Sequence, residues 1–329
     1  MSMGFHRRRA CLALTQAALL LAVAGGAGAA GFPDRALRLV VPFPAGGAAD
    51  IMARGLAQQL TEQLGQQVVI ENRGGAGGTT AAEAVAHAAP DGYTLFFATM
   101  GTQAINPSLY PKLRYDPLKD FEYVSLTHTT PRVLVVHPSV PAKTVEELIA
   151  LAKAQPGALT YGSAGNGSSS HLSGALFSSM ADVRLLHVPY KGSAPLLNDV
   201  LAGRVSMTFD SYAVYAEHIR SGKVRALGVT SLKRMSALPD VPAIAEAGLP
   251  GYDVSNWLGL LAPRGTPAAV VDRLHGAVVR GMADESARRR LAGMGIEATS
   301  STPAEFADLV RTEIPKWEAV VKKSGATVD

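Results

Sequence analysis

The segment Val40-Val41-Pro42-Phe43-Pro44-Ala45-Gly46-Gly47-Ala48-Ala49-Asp50-Ile51-Met52-Ala53-Arg54 constrains the fold more than any other stretch of this chain. The apolar residues Leu37, Leu39, Val40 and Val41 read as a buried strand that stops at a rigid Pro-Phe-Pro turn. Ala45-Gly46-Gly47 then opens an amphipathic helix through residue 63. A glycine-rich turn lets backbone approach a ligand, and the first N–H groups of a helix have no partner inside it. With the positive end of the helix dipole, they form a seat for an anion.

The same logic returns in the middle of the chain. Residues 159–162 read as a strand, Ser163-Ala164-Gly165-Asn166-Gly167-Ser168-Ser169-Ser170 as a glycine- and serine-rich turn, and 171–180 as a helix. A weaker third case is Val188-Pro189-Tyr190-Lys191-Gly192-Ser193, opening a helix over 194–201. Further strands are expected at 68–71, 93–99, 133–136, 205–210 and 227–230, with helices at 79–88, 144–154, 267–282, 285–293 and 303–322. Thr144 with Glu147 has the spacing of a capping box. Such alternation predicts an α/β architecture with mostly parallel sheets.

Residues 1–30 are read apart from the fold. His6-Arg7-Arg8-Arg9 precedes a mostly apolar run to Ala24, and Ala27-Gly28-Ala29 supplies a small-residue cleavage site, the layout of a signal peptide. An apolar run of about fourteen residues is too short to span a bilayer. Ala10 and Cys11 after the arginines match a twin-arginine signal poorly. The chain has 31 basic and 27 acidic residues; the leader holds three arginines and no acid, which leaves 28 against 27. A nucleic-acid surface is therefore not implied. The sole cysteine, Cys11, departs with the leader, which excludes disulfides and thiol chemistry in the mature chain. The remaining length of about 300 residues calls for two domains.

Signatures of catalysis fail. Gly162-Ser163-Ala164-Gly165 is one residue short of a nucleophile elbow, Ser170 stands where a dinucleotide fingerprint needs its third glycine, and no lysine follows Gly167. The eight histidines lack ligand spacing, so no metal and no cofactor are expected. Asp210 ends an apolar strand where α/β folds hold ligands; it either accepts a ligand hydroxyl or ammonium, or caps the next element of the chain. His171 reads equally as a ligand contact or as a ring packed at a helix start. Asp50 complements its helix dipole, and Arg73 lies in a turn of the run 71–78. Neither glycine-rich turn has a basic neighbour in sequence, so an anion there would rest on backbone N–H groups and on hydroxyls of Ser163, Ser168, Thr99 and Thr102.

At these residues the chain resembles the Bug-type periplasmic receptors of tripartite tricarboxylate transporters. The likeness runs from about Leu37 to the C-terminus. It includes the opening segment, Glu71-Asn72-Arg73, Pro90-Asp91-Gly92-Tyr93-Thr94-Leu95, Asn106-Pro107-Ser108-Leu109-Tyr110, the 161–168 turn with His171, Val188-Pro189-Tyr190-Lys191-Gly192, Leu238-Pro239-Asp240-Val241-Pro242, Glu246-Ala247-Gly248-Leu249-Pro250-Gly251 and Trp257-Leu258-Gly259-Leu260-Leu261-Ala262-Pro263. The resemblance implies a two-domain α/β clamshell, a type II periplasmic binding protein, with residues 34–131 plus 256–329 in one domain and 132–255 in the other. It implies no enzyme but a receptor, monomeric, that passes a small organic carboxylate to an integral membrane permease. The resemblance implies that ligand carboxylates sit between the Ala45-Gly46-Gly47 turn and the Gly165-Asn166-Gly167-Ser168 turn, with Thr99 and Thr102 in the segment that varies with ligand. Together with the reading of the residues themselves, the expected ligand contacts are Phe43, Ala45, Gly46, Gly47, Thr99, Thr102, Ser163, Asn166, Gly167, Ser168, His171 and Asp210. Ala243 departs from the threonine of many relatives. The rival readings are a sensor with no transport role and a hydrolase using Ser168–Ser170 with His171.

Overall fold

The computed structural model describes residues 31–166, 168–190 and 192–325, so the leader expected over 1–30 lies outside the described residues. Two sheets organise the chain. The first contains β1 (Leu37–Val41), β2 (Val68–Asn72), β3 (Thr94–Thr99), β4 (Phe121–Thr130), β10 (Asn256–Pro263) and β11 (Glu297–Ala298), in the order β11-β4-β10-β3-β1-β2. The second contains β5 (Arg132–Val136), β6 (Thr160–Ser163), β7 (Leu186–Pro189), β8 (Met207–Ser211) and β9 (Arg225–Val229), in the order β7-β6-β8-β5-β9.

The fold is the expected two-domain α/β type, but the sheets are mixed rather than mostly parallel. Among the strands of the two sheets, parallel pairing is confined to β1 with β2 and β3, and to β6 with β7 and β8, apart from an isolated parallel bridge of Val229 with Ala243. The reason is the connectivity between the sheets. β4 continues into β5 across the single residue Pro131, and β10 returns from the second sheet to insert antiparallel between β3 and β4. β5 likewise lies antiparallel to both β8 and β9. A strand that enters from the opposite sheet needs no helical crossover, and so is free to run antiparallel.

Helices cover both faces of each sheet. α1 (Ala48–Leu64) and α8 (Ala268–Met282) close one face of the first sheet, where Leu56, Leu60, Leu274 and Val278 are buried in one cluster with Leu39 and Phe97. Each such side chain contributes about 2 kcal/mol. α2 (Thr79–Ala86) lies on the other face. After β3 a π-helical turn, Gly101–Ile105, runs into the short α3 (Asn106–Leu109). In the second sheet α4 (Val145–Ala154) and α5 (Ser169–Ala181) cover one face, and α6 (Ser193–Leu201) and α7 (Tyr212–Arg220) the other. Thr144 caps α4 as expected, accepting from Glu147 N–H; Glu147 answers on the N–H of Lys143, one residue before a capping box would place it. α9 (Glu285–Ala292) follows α8. The last helix, α10 (Pro303–Ser324), joins the two halves: its Phe306, Trp317 and Val320 share one apolar cluster with Phe96 of β3, Phe177 of α5 and Phe209 of β8.

Strand directions bring the informative turns to facing edges. β1 and β3 end at Val41 and Thr99 on the edge of the first sheet where β4 ends and β10 begins. β6 and β8 end on the edge of the second sheet where β5 begins. The crossover at Pro131 joins these two edges, and side chains stitch it to the return strand. Thr130 Oγ1 donates to Asn256 O (3.2 Å), and buried Thr230 accepts from Arg132 N–H (2.8 Å) while donating to Val254 O (3.0 Å).

Candidate functional site

The turn after β1 is held open to solvent from behind. Residues 43–48 are exposed, and Gly46 takes φ +84°, a left-handed conformation that favours glycine. Asp50, buried in the first turn of α1, accepts from Gly46 N–H (2.9 Å), Arg54 Nε (2.8 Å) and Asn72 Nδ2 (2.9 Å). The Arg54 hydrogen bond, then the Gly46 amide and the Asn72 amide, hold its carboxyl down at about 2 against the cost of burial. Asn72 also donates to Phe43 O (3.0 Å), so one aspartate and one asparagine fix the whole turn. Gly46 N–H is thereby committed to Asp50. Gly47 caps α1 without a side-chain hydrogen bond, which leaves the N–H groups of Ala48 and Ala49 facing solvent without an intrahelical partner. Phe43 and Ala45 flank this opening, exposed. Arg73 turns back to Glu71, which also receives Arg38 at 3.0 Å.

Thr99 and Thr102 lie at the same edge but are buried. Their hydroxyls serve the chain itself: Thr102 Oγ1 accepts from Thr99 N–H (3.1 Å) and donates to Thr99 O (3.0 Å), and Thr99 Oγ1 accepts from Thr102 N–H (3.2 Å). The pair closes the π-helical turn.

Across the crossover, the second turn is a web of hydroxyls. Ser168 caps α5, accepting from His171 N–H (3.3 Å) and donating to Gly165 O (2.6 Å). Ser170 Oγ accepts from Ala164 N–H (2.9 Å), and Ser163 bonds both Gly165 O (3.1 Å) and Gly165 N–H (3.2 Å). Asn166 is exposed at the tip, and Gly167 lies outside the described residues. His171 is buried, its ring parallel to that of His187 at 3.9 Å, and Tyr161 stacks on both. Burial, reinforced by the proximity of His171, pushes His187 down to about 4, and burial also lowers His171. His187 Nε2 lies 2.7 Å from Ser163 Oγ.

The cation that neither turn has in sequence stands beside the second one in space. Arg132, the first residue after the crossover, reaches Asp210 Oδ1 (3.3 Å) and Ser169 Oγ, the first hydroxyl of α5. Asp210 is buried beneath it, and Arg132 keeps 19% of its side chain exposed. Among the described residues, Arg132 Nε and Asp210 Oδ2 are buried without partners. Sequence reasoning missed Arg132 because 78 residues separate it from Asp210; only the antiparallel register of β5 on β8, with Val133 opposite Asp210, brings them together. Among the described residues, no group of three or more His, Cys, Asp or Glu side chains is arranged to hold a metal.

The family model of the tripartite tricarboxylate transporter family receptor matches residues 52–326. The chain belongs to that family. It is 36% identical over 296 residues to the protein BugT of Bordetella pertussis, covering 90% of this chain and 91% of BugT. The structure of Rhodopseudomonas palustris Rpa4515 with adipate superposes with a TM-score of 0.73 at 40% identity, over 90% of this chain and 99% of that one. MatC of the same organism with bound malate gives 0.69 at 39%, over 88% and 100%. A ligand-free TctC solute-binding protein from Polaromonas gives 0.80 at 27%, over 89% and 99%. The resemblance read from the motifs is therefore correct at the level of family, and the protein is a solute-binding receptor of the periplasmic type, not an enzyme. The hydrolase reading falls with it.

Proposed function

We propose that this receptor is exported by its N-terminal leader, captures a small organic carboxylate between its two domains, and delivers it to an integral membrane permease as a monomer. The domains are residues 34–131 plus 256–329 and residues 132–255, with the hinge at the stitched crossings near Pro131 and Val254. One carboxylate group sits on the amides of Ala48 and Ala49, beside Phe43, Ala45, Gly46 and Gly47. The other domain meets the ligand through the turn of Ser163, Asn166, Gly167 and Ser168 and through Arg132, which Asp210 holds in place. His171 supports that turn, and Thr99 and Thr102 shape the wall between the domains. The observation that carries this reading is the pairing of an uncapped, solvent-open helix N-terminus at one strand edge with a partly exposed arginine at the facing edge. Both favour anions, and hinge closure lets one ligand engage both.

Two similar receptors hold adipate and malate, which supports the carboxylate class. A thermal-shift screen of refolded mature protein against mono-, di- and tricarboxylates and amino acids tests the reading. Ligand at 100 times its Kd adds about 2.7 kcal/mol, which raises Tm by several degrees. A selective shift by one carboxylate class is the expected result; no shift across the panel refutes it. Uptake of that ligand by cells carrying the permease, lost on deleting the receptor, tests delivery.

A further inference from the structure

A cavity of about 560 Å³ lies beside α5, within the range of small-molecule sites. Three cations line it from three separate elements: Lys153 at the end of α4, Arg184 between α5 and β7, and Lys323 near the end of α10. Asp182 is the one carboxylate among the lining residues, and none of the three cations is joined to an acid among the described residues. Among the described residues, Lys323 reaches only a hydroxyl, that of Ser179, at 3.0 Å. The wall also holds the stacked rings of His171 and His187, and the buried Ser178 hydroxyl, which has no partner among the described residues. Converging cations repel one another until an anion sits among them, and a buried hydroxyl without a partner is costly.

The cavity is one hydrogen bond away from the ligand turn. His187 lines it, and its Nε2 meets Ser163 Oγ, whose other bonds are to the backbone of Gly165. Gly165 has φ +132°, a conformation that favours glycine, and both its N–H and its C=O are bonded to that hydroxyl.

We propose that this cavity is a second anion site, separate from the cleft, for a small multiply charged oxyanion held by Lys153, Arg184 and Lys323, and that its occupancy is transmitted to the Gly165 turn through His187 and Ser163. The site stands whether or not the cleft takes carboxylates.

The test is a side-chain and backbone ¹⁵N NMR titration of the mature protein at neutral pH, with pyrophosphate and with citrate in separate series. It is run on the Gly47→Asp background, which places a carboxylate at the cleft seat. The ring signals of His171 and His187, assigned through His187→Gln, are expected to shift saturably with one anion or both, and the amide of Gly165 to shift with them. The better of the two anions distinguishes phosphate from carboxylate chemistry. In Arg184→Glu/Lys323→Glu, both exposed positions, the midpoint is expected to rise about tenfold or more. In Ser163→Ala the rings are expected still to respond while Gly165 does not. Rings that do not move with either anion, or that respond unchanged in the charge-reversed protein, overturn the site. Gly165 responding unchanged in Ser163→Ala overturns the route.

Discussion

The turn after β1 and the turn after β6 share a sequence logic, strand then glycine-rich turn then helix, yet they are built in opposite ways. The first is fixed by a charge hidden behind it. Asp50 draws Gly46, Arg54 and Asn72 together, and the opening toward the cleft is left as neutral backbone. The second is fixed by hydroxyls within the turn, and the charge beside it comes from Arg132 on another strand. A helix N-terminus attracts anions by itself, but an aspartate used to set the turn would repel them unless buried and paired. The two solutions keep rigidity and attraction in different groups.

That contrast can be broken most directly at Arg132. Arg132→Met leaves Asp210 buried without its cation, and is expected to lower stability by about 3 kcal/mol in urea unfolding. It should also abolish the ligand response of the thermal screen. Asp210→Asn in the same background should recover much of the stability but not the binding. If binding survives in Arg132→Met, the second turn works without its cation and the contrast fails.

Gly47→Asp probes the first turn. No side chain crowds this position, so unfolding should be nearly unchanged. A carboxylate at the anion seat should nevertheless weaken ligand binding about 100-fold by calorimetry. Asp50→Asn removes charge-assisted bonds without emptying the site. It is expected to cost about 2 kcal/mol of stability and to weaken binding less than Gly47→Asp.

The smallest expected effect is a separation of the two turns by acid. Asp50 lies near 2, below its unfolded value, so its contribution is present above about pH 4 and is lost only as pH falls toward 2. His187 lies near 4, also below its unfolded value. For a histidine kept neutral, stability is present above about pH 6.5 and is lost as pH falls toward 4. Amide exchange at pH 5 should therefore show Gly165 losing protection while Gly46 keeps it. Equal loss at both turns would dissolve the distinction.

How much of this was legible depended on sequence distance. The first turn reads directly, because strand, turn and helix are contiguous and Asp50 lies four residues from Gly46. The paired role of Thr99 and Thr102 was hidden because hydroxyls near a strand end look alike whether they face ligand or their own backbone. β4 escaped notice because Ser125 and Thr127 interrupt its apolar pattern. Both are buried, with hydroxyls donating to Ser301 O and Leu258 O, partners 176 and 131 residues away. β10, apolar from Trp257 to Ala262 except at Gly259, lacks the polar alternation of a half-exposed strand, and a short continuous apolar run does not by itself tell strand from helix. The first sheet became mixed through these two strands, whereas the second became mixed through β5, a strand the sequence does show but whose antiparallel direction it does not. Arg132 is the case no spacing rule reaches, since it becomes a neighbour of Asp210 only through register.

Thr230 ties the amide of Arg132 to the return strand, so the guanidinium that meets Asp210 and the main chain that carries the crossing belong to one residue. Any rotation of the domains about that crossing reorients the cation at the same time. Under the proposed function, dwell time of the closed form and discrimination among ligands are therefore coupled variables. A substitution at residue 132 selected for a new cargo would also reset how fast that cargo is released.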